Sequence, residues 1–415
     1  MGYISILKPN VQEGHLTIPF ECSDELKKYF TSFHFSVEYS ETVAGVPDSI
    51  LVIPLVCNLL PLVWLTNCSL NIETLDKDFY DGIEKIKAGY VKMYPMLEFK
   101  GYLQVKRLAS TPSPSGARRN AAFFSGGVDA FATLIAHAQE HPVLLTVRGA
   151  DIALDDEEGW GNVSKHVEVT RKTFGCDAIS IISNFRLFLD YRAFQNLIFK
   201  SGENWWHGFQ HGIGLLGLAA PLACAKVFST IYIASSHTEK DQVTCASHPS
   251  IDNHVSYCGC RVKHDQYEFT RQEKITHICE YVDKTGQKLF LRVCWISRGG
   301  KNCGVCEKCL RTIYGILAEG HDPENFGFPG IASRYNELGK ILQEKVIISP
   351  TALPLWKDIQ ERFLENREKV KYGAGQDWIF TYDFDKVNAT FGKRLRIFYM
   401  KKKAALGRVV RKLFR

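Results

Sequence analysis

The apolar side chains of the first hundred residues follow first a strand period and then a helix period. From Phe33 to Tyr39 every second side chain is apolar, which predicts a strand. The apolar run from Ile50 to Leu65, which two prolines interrupt, predicts a pair of buried strands. Over 74–94 the apolar positions step by three or four, which predicts a helix, and a further strand is expected over 99–105. Residues 1–107 are therefore expected to form an N-terminal α+β domain.

The pattern changes after a segment rich in proline, serine and glycine. Residues 108–120, with the run STPSPSG, suit neither a helix nor a central strand, so we predict a linker there. Short apolar runs then alternate with segments long enough for helices, and these runs are Ala121–Phe124, Val143–Val147, Ala178–Ile182 and Thr230–Ala234. This alternation predicts an α/β domain over 121–320 with a doubly wound parallel sheet. We expect a helical extension over 321–392, including a helix that starts at Leu353, and a tail over 393–415.

Composition narrows the class of protein. Of the 415 residues, 45% are hydrophobic, 12% aromatic and 23% charged, which excludes disordered and low-complexity proteins. The longest apolar stretch falls short of the roughly 20 residues that a membrane-spanning helix needs, and the first ten residues lack the features of a secretory signal. We therefore expect a cytoplasmic protein with no membrane span. Thirteen cysteines in that reducing compartment indicate metal binding rather than a disulfide framework.

The positive charge is concentrated at the C-terminus. The net charge is +6, and the ten Lys and Arg residues of 393–415, a segment without acids, leave residues 1–392 with a net charge of −4. Such a tail can contact nucleic acid, anionic lipid or an acidic partner. The alternative is a solvated C-terminal helix without a partner.

A glycine turn between a strand and a helix is the sharpest local signal. The first apolar run of the α/β domain leads into Ser125, Gly126, Gly127, Val128 and Asp129, and a helical pattern follows. Two glycines allow the backbone amides to turn inward, and with the helix start behind them they form a donor site for a polyphosphate. Asp129 is suited to hold a Mg²⁺ ion that bridges phosphates. The alternative is an ordinary turn with an N-capping aspartate.

Residues 121–138, AAFFSGGVDAFATLIAHA, resemble the SGGxDS signature of the ATP pyrophosphatase (PP-loop) superfamily. The resemblance implies that ATP is split between its α and β phosphates and that AMP passes to an acceptor. Ala130 stands where the signature has Ser, so one hydroxyl donor to phosphate is missing. That departure keeps a non-catalytic nucleotide-binding scaffold as an alternative. Arg148, after the second strand of the domain, is expected near the base and ribose of the nucleotide.

Four cysteines lie within sixteen residues near the end of the α/β domain. Cys294, Cys303, Cys306 and Cys309 include two CxxC steps that share Cys306. Four thiolates can close a tetrahedral Zn²⁺ site, and because no coordination position is left open, the metal is expected to be structural. An iron-sulfur cluster and a metal-free redox pair are the alternatives.

The glycine turn and the four cysteines, in this order, resemble the 7-cyano-7-deazaguanine synthases over residues 121–320. The resemblance implies ATP-dependent conversion of 7-carboxy-7-deazaguanine through an adenylate to an amide or nitrile, with ammonia as nitrogen donor. The chain lacks the YPDCR-like segment of the queuosine pathway enzymes. It therefore also resembles diverged synthase-like proteins of bacterial antiviral defence, in which a deazapurine would be joined to a protein, such as an operon partner, or to another large acceptor. A homodimer is compatible with either interpretation.

Polar residues that follow the last predicted parallel strand are the candidates for substrate recognition, because ligands bind at the carboxyl ends of such strands. They are Ser235, Ser236, His237, Ser247, His248 and Asp252, and ordinary turn chemistry is the alternative. Arg271 and Lys274 are predicted on one helical face, where they would neutralise the triphosphate or the departing pyrophosphate, or else pair with Glu273 on a surface helix. His207 and His211 share a helical spacing and are candidates for anion binding or proton transfer, or for partial burial beside tryptophans.

Overall fold

The computed structural model describes residues 2–111, 116–241, 243–370, 375–390 and 392–399. Its strands, in chain order, are β1 (Tyr3–Ile6), β2 (Asn10–Gln12), β3 (His15–Cys22), β4 (His34–Tyr39), β5 (Ser69–Asp76), β6 (Tyr102–Ala109), β7 (Arg119–Phe123), β8 (Val143–Arg148), β9 (Ala178–Ser183), β10 (Phe228–Ala234), β11 (Ser256–Tyr257) and β12 (Cys260–Asp265).

The α-helices, in chain order, are α1 (Asp48–Leu51), α2 (Ile53–Thr66), α3 (Lys77–Met93), α4 (Val128–Ala136), α5 (Glu157–Phe174), α6 (Tyr191–Phe194), α7 (His211–Leu218), α8 (Ala220–Ala225), α9 (Pro249–Asp252), α10 (Arg271–Thr285), α11 (Glu307–Ala318), α12 (Tyr335–Glu344) and α13 (Leu353–Glu365). A π-helix, Trp206–Gln210, precedes α7, and residues 392–399 are also helical.

One large sheet runs through the first two thirds of the chain. Its strand order is β11-β12-β10-β7-β8-β9-β4-β3-β1-β5-β6, and β2 pairs with β3 beside this path. The central strands β12, β10, β7, β8 and β9 are parallel to one another. Helix α4 packs on β7 and β10, and α5 packs on β8 and β9. The protein is therefore an α/β protein with a large, mostly parallel sheet flanked by helices, as the alternation of strand and helix patterns predicted.

The chain divides at a different place from the predicted linker. Compact units cover Met1–Glu268 and Phe269–Arg415, so neither 108–120 nor 320 is a boundary between units. Strand β4 pairs with β9, with Val37 opposite Ser183 and Tyr39 opposite Ile181, and the predicted N-terminal domain thus contributes strands to the same sheet. The proline- and serine-rich segment, of which 112–115 lie outside the described residues, connects β6 to β7 within one unit. Its composition indicated a break in secondary structure, which is not the same as a break in the core.

The predicted strand pair over 50–65 is wrong, because this segment forms α1 and α2. Every residue of α2 from Ile53 to Trp64 is buried, so the helix shows no polar face in its sequence. A helix buried on all sides has the same unbroken apolar pattern as a buried strand. Pro54 lies in the first turn, where its missing N–H costs no hydrogen bond. The buried Asn58 accepts a hydrogen bond of 2.7 Å from Nε2 of Gln210.

The order of the central strands creates a switch point at β7. Strands β8 and β9 extend the sheet on one side of β7, whereas β10 returns to its other side. Loops that leave the carboxyl ends of β7 and β10 therefore start next to each other and diverge, and crevices of this kind bind ligands in open α/β sheets. The loop after β7 begins at Phe124 and the loop after β10 begins at Ser235.

A long apolar stretch inside the first unit has the dimensions of a membrane span. Residues Trp206–Ala225 are long and apolar enough to cross a bilayer, but 78% of the most apolar window is buried within the protein. Burial of this kind is expected for a core helix of a folded domain.

The second unit is helical. Helix α13 begins at Leu353 as predicted and ends at Glu365, and it packs against α10 and α11. The ammonium group of Lys393 is buried and donates hydrogen bonds to the carbonyls of Leu342 (2.8 Å) and Val387 (2.7 Å). Burial lowers the pKa of Lys393 to about 8. The first residue of the predicted basic tail is thus anchored in the core of this unit, while 400–415 lie outside the described residues.

Two helical glycines provide a matched test of the packing of the first unit. A Cβ atom at Gly82 in α3 would lie 2.1 Å from the carbonyl oxygen of His254, whereas a Cβ atom at Gly161 in α5 would contact nothing within 4 Å. We predict that Gly82→Ala lowers the stability by about 1–3 kcal/mol through overpacking, and that Gly161→Ala raises it by up to about 1 kcal/mol through helix propensity. Urea unfolding followed by circular dichroism would measure both, and an unfolding midpoint for Gly82→Ala equal to or above that of the native protein would contradict the packing.

Candidate functional site

The four predicted cysteine ligands converge in the second unit. The sulfur atoms of Cys294, Cys303, Cys306 and Cys309 all lie within 4.8 Å of one another. The Cys294–Cys306 and Cys303–Cys309 sulfur distances are both 3.9 Å. A tetrahedral Zn²⁺ site with Zn–S bonds of about 2.3 Å requires sulfur atoms about 3.8 Å apart. The four side chains therefore fit a metal ion such as Zn²⁺, and the set is complete without a further ligand.

Local hydrogen bonds to the sulfur atoms favour the thiolate form that binds a metal ion. The backbone N–H of Cys306 donates to the sulfur of Cys303 at 3.3 Å, and that of Ser297 donates to the sulfur of Cys294 at 3.4 Å. The hydrogen bond from Cys309 lowers the pKa of Cys306 to about 5, whereas burial raises the pKa of Cys303. A cluster that already stabilises one thiolate suits a metal ion, because the thiolate is the form of cysteine that binds metals.

Asn302 holds the loop that carries the first ligand. Its Oδ1 accepts hydrogen bonds from the backbone N–H groups of Val293 (2.9 Å) and Cys294 (3.2 Å). Its Nδ2 donates to the carbonyls of Leu291 (2.7 Å) and Gly327 (3.0 Å). One amide side chain thus hydrogen-bonds with four backbone groups and holds in place the segment that ends at Cys294. The cysteine spacing predicted the four ligands, but no pattern in the sequence predicted the supporting role of Asn302.

The predicted phosphate loop lies between β7 and α4. Gly126 has a φ of 78°, a conformation that glycine adopts without strain. Gly127 is the N-cap residue of α4 and Asp129 lies in the first turn of the helix. The Gly127 N–H donates to the hydroxyl of Ser125 at 3.4 Å. Within the described residues, the amides of Gly126 and Val128 have no acceptor in the chain. The turn thus presents backbone donors and a helix N-terminus at the switch point, which is the arrangement that binds anions in proteins.

Residues of the two predicted substrate loops mostly hydrogen-bond with one another. Ser235 is fully buried, and its hydroxyl donates to the carbonyl of His237. The Ser247 hydroxyl donates to Oδ2 of Asp252 at 2.8 Å, and His264 Nδ1 lies 2.8 Å from the same oxygen. Asp252 has no exposed surface, so this carboxylate braces the loop against β12. The remaining candidates, Ser236, His237 and His248, are at least partly exposed.

His248 adds a second polar contact in the same region. Its Nδ1 accepts a hydrogen bond of 3.1 Å from the backbone N–H of Ser250 and so caps α9, and its Nε2 lies 3.3 Å from the hydroxyl of Tyr267. Burial lowers the pKa of His248. The imidazole is therefore neutral at physiological pH.

Arg148 lies at the carboxyl end of β8 but is held by protein groups. Its guanidinium donates to the carbonyl of Leu154 at 2.6 Å and forms an ion pair with Glu157. The side chain is 8% exposed, while that of Glu157 is 80% exposed. Part of the donor capacity of the guanidinium is therefore used by protein groups, and its predicted contact with the base and ribose stays a prediction.

Arg271 and Lys274 lie in the first turn of α10, in the second unit, and both are buried. The helix begins with a capping box in which Thr270 accepts from the N–H of Glu273 and the Glu273 carboxylate accepts from the N–H of Thr270. Glu273 is thus used in the cap. The structure places both cations on one helix as predicted, and their predicted action on pyrophosphate stays a prediction.

Two residues of a further polar cluster escaped the sequence analysis. Cys245 and Glu203 lie with His207 and His211 in the first unit, where Glu203 Oε2 is 3.0 Å from His207 Nδ1. The signal was present, because Glu203, His207 and His211 follow one another at intervals of four residues. The adjacent tryptophans favoured a packing role for this segment, so the spacing was not recognised as including Glu203.

Comparisons with protein-family models, with curated proteins and with solved structures each returned no match. The function must therefore be inferred from the glycine turn and the four-cysteine cluster.

We predict that Cys306→Ser abolishes metal binding and lowers solubility together, because Cys306 belongs to both CxxC steps and its pKa is lowered in favour of the thiolate. Elemental analysis of the purified native protein should give about one Zn²⁺ per chain, and the variant should give none. A variant that keeps its metal and its thermal midpoint would contradict a structural metal site.

We further predict that Asn302→Ala weakens metal binding by about 10–100-fold, as loss of a supporting hydrogen bond does in other metal sites. The control is Ile296→Ala in the same loop, whose side chain is 61% exposed. Competition with a chromogenic Zn²⁺ chelator measures both affinities. Equal affinities for the two variants would show that Asn302 does not position the ligand loop.

Proposed function

We propose that the protein is an ATP-dependent carbon–nitrogen ligase. It activates a carboxylate as an acyl adenylate and passes the acyl group to a nitrogen nucleophile. The observation that carries the proposal is the turn Ser125–Asp129, which lies after the central strand β7. It brings together a helix N-terminus, an acidic side chain and the amides of Gly126 and Val128, which have no acceptor among the described residues.

The chemistry explains why such a turn is needed. A carboxylate resists attack by an amine because it is an anion and its oxygen is a poor leaving group. When the carboxylate oxygen attacks the α phosphorus of ATP, pyrophosphate leaves and the oxygen becomes part of an AMP leaving group. The protein positions the reactants and neutralises the charge of the phosphates. Hydrogen-bond donors that are already oriented do this with little reorganisation during the reaction. The amides of Gly126 and Val128 and the hydroxyl of Ser125 would hold the phosphates, and Asp129 would hold a Mg²⁺ ion that bridges them.

The carboxylate is proposed to be a deazapurine such as 7-carboxy-7-deazaguanine, and the resemblance to the 7-cyano-7-deazaguanine synthases supports this choice. With ammonia as nucleophile the product would be an amide or a nitrile. With a protein amine as nucleophile the protein would belong to the diverged proteins of antiviral defence. The four-cysteine site supports both versions, because in either one a structural Zn²⁺ holds the second unit together and takes no part in the chemistry.

A nucleotide-binding scaffold without turnover is the alternative from another class. Ala130 supports it, since this residue replaces the hydroxyl of the superfamily signature and its side chain is buried in α4. A cytoplasmic location and a role of the basic tail in binding an acidic partner or nucleic acid accompany either proposal.

We predict that the native protein catalyses exchange of labelled pyrophosphate into ATP when Mg²⁺ and 7-carboxy-7-deazaguanine are present. Asp129→Asn should reduce the exchange rate by about 10²–10³-fold, the cost of removing one electrostatic contact to the transition state. The control is Asp24→Asn, whose carboxylate is 93% exposed at the surface and should leave the rate unchanged.

Thermal unfolding must first show that both variants are folded. Exchange by Asp129→Asn at the native rate would contradict the metal role of Asp129. ATP binding by the native protein without exchange for any carboxylate would favour the scaffold.

A further inference from the structure

A cysteine outside all the predicted sites is surrounded by groups that can ionise it. Cys245 lies in the chain between β10 and α9, its sulfur accepts a hydrogen bond of 3.5 Å from the backbone N–H of Ser247, and the imidazoles of His207 and His211 interact electrostatically with it. Its side chain is 5% exposed. The cluster is thus a buried thiol with two candidate bases.

A carboxylate orients the first of these bases. Oε2 of Glu203 lies 3.0 Å from Nδ1 of His207, and Oε1 of Glu203 accepts a hydrogen bond of 3.0 Å from the hydroxyl of Thr244. The backbone N–H of Ala246 donates to the carbonyl of His207 at 2.8 Å. Both neighbours of Cys245 in the chain are therefore tied to the Glu203–His207 pair, which fixes the thiol relative to its base.

The backbone around His207 has an uncommon geometry. Residues Trp206–Gln210 form a π-helix directly before α7. π-Helical turns are rare and occur often at functional sites, where they change the direction in which a side chain points. Trp206 also packs its ring edge-to-face on His211, at 4.8 Å between centroids, and restricts that imidazole.

The charges of the cluster favour a thiolate. Burial alone would raise the pKa of Cys245, but the hydrogen bonds from His207 and His211 outweigh it and lower the pKa to about 6. The hydrogen bonds to Cys245 and Glu203 raise the pKa of His207 to about 10. Among the described residues, Tyr90 of α3 and Tyr94, which follows the end of α3, also interact with Cys245, and burial raises both of their pKa values, so they stay neutral. At physiological pH the pair is a thiolate beside an imidazolium.

Another cysteine of equal exposure shows that burial does not cause this effect. Cys176, two residues before β9, is also 5% exposed, and burial raises its pKa to about 11. The thiol of Cys245 differs from that of Cys176 in its two imidazole partners. Activation by an adjacent histidine that a carboxylate orients is the usual arrangement for a nucleophilic cysteine.

The cluster lies beside the crevice at the switch point. The imidazole of His237, in the loop that leaves β10, is 6.4 Å from that of His207 between ring centroids. β10 is hydrogen-bonded to β7, so this loop starts next to the turn Ser125–Asp129. An acyl adenylate formed at that turn would therefore have a thiolate in the adjoining loop.

From this arrangement we infer that Cys245 is a nucleophile that accepts the acyl group of an activated carboxylate as a thioester, with His207 as its base and Glu203 and His211 as positioning residues. The inference rests on the proposed adenylation for its acyl donor. It gives the reaction a covalent intermediate and makes a large amine acceptor feasible, because the acyl group stays bound after AMP has left.

The transfer takes place in two steps. The thiolate attacks the carbonyl carbon of the acyl adenylate, a C–S bond forms, and the C–O bond to AMP breaks with its electron pair on AMP. The imidazolium of His207, which is no longer beside a thiolate but keeps its contact with Glu203, releases its proton to water. An amine then attacks the thioester, a C–N bond forms, the C–S bond breaks to regenerate the thiolate, and His207 accepts the proton of the amine. The net change is acyl adenylate plus amine to amide, AMP and one proton.

The thiolate can be tested without any substrate. Alkylation by iodoacetamide, followed at each cysteine by peptide mass spectrometry, should modify Cys245 with a midpoint near pH 6 and Cys176 only at high pH. In His207→Asn the midpoint for Cys245 should shift upward toward that of an ordinary thiol, about 8.5. An unchanged midpoint in His207→Asn, or no alkylation of Cys245 below pH 8 in the native protein, would overturn the assignment.

The covalent step is tested with ATP, Mg²⁺ and 7-carboxy-7-deazaguanine in the absence of an amine. We expect a hydroxylamine-labile mass increase on Cys245, equal to the acid minus water. Cys245→Ser should lose amide formation but keep pyrophosphate exchange, while Cys176→Ser should keep both. Amide formation by Cys245→Ser at the native rate would overturn the inference and leave adenylation intact. Absence of pyrophosphate exchange in the native protein would instead contradict the proposed function, and the alkylation profile would still decide whether Cys245 is a thiolate.

Discussion

The position of β7 between two parallel neighbours is the constraint on which the functional region depends. Parallel pairing with β8 on one side and β10 on the other requires the chain to cross the sheet twice, and each crossover buries a helix against the strands. The same pairing leaves the carboxyl ends of β7 and β10 side by side with loops that separate. The glycine turn, the loop after β10 and the thiol cluster beside it all owe their proximity to this one arrangement of hydrogen bonds.

In the second unit the four-cysteine cluster can hold in place a loop that has little regular structure. Its ligand loop has few elements of regular structure before α11, so the four thiols and the amide of Asn302 replace the contacts that a sheet supplies in the first unit. A bound ion contributes free energy on the order of 10 kcal/mol to such a segment. Cross-linking by a metal ion therefore suits a loop that could not be held by packing alone.

Local chemistry was predictable from the sequence, and long-range pairing was not. The cysteine spacing and the turn at Ser125–Asp129 lie within short segments, and the structure brings the four thiols together as the spacing indicates. The helix over 74–94 and the strand over 33–39 were predicted because each has a clear polar face. The buried helix α2 has none, and its pattern led to the wrong element. The extent of the first unit could not be predicted, because the pairing of β4 with β9 depends on residues far apart in the chain. Cys245 was missed for the same reason, since its two imidazole partners come from another part of the sequence.

The pairing of β4 with β9 also determines when the first unit can fold during synthesis. Ser40 and Ser180, which are 140 positions apart, are joined by a hydrogen bond where β4 meets β9. Until the ribosome has released β9, one side of β4 is an open strand edge, and unpaired edges promote aggregation of nascent chains. Closing such a long loop also slows folding. The N-terminal strands should therefore depend on rapid translation or on chaperone protection until the middle of the chain emerges.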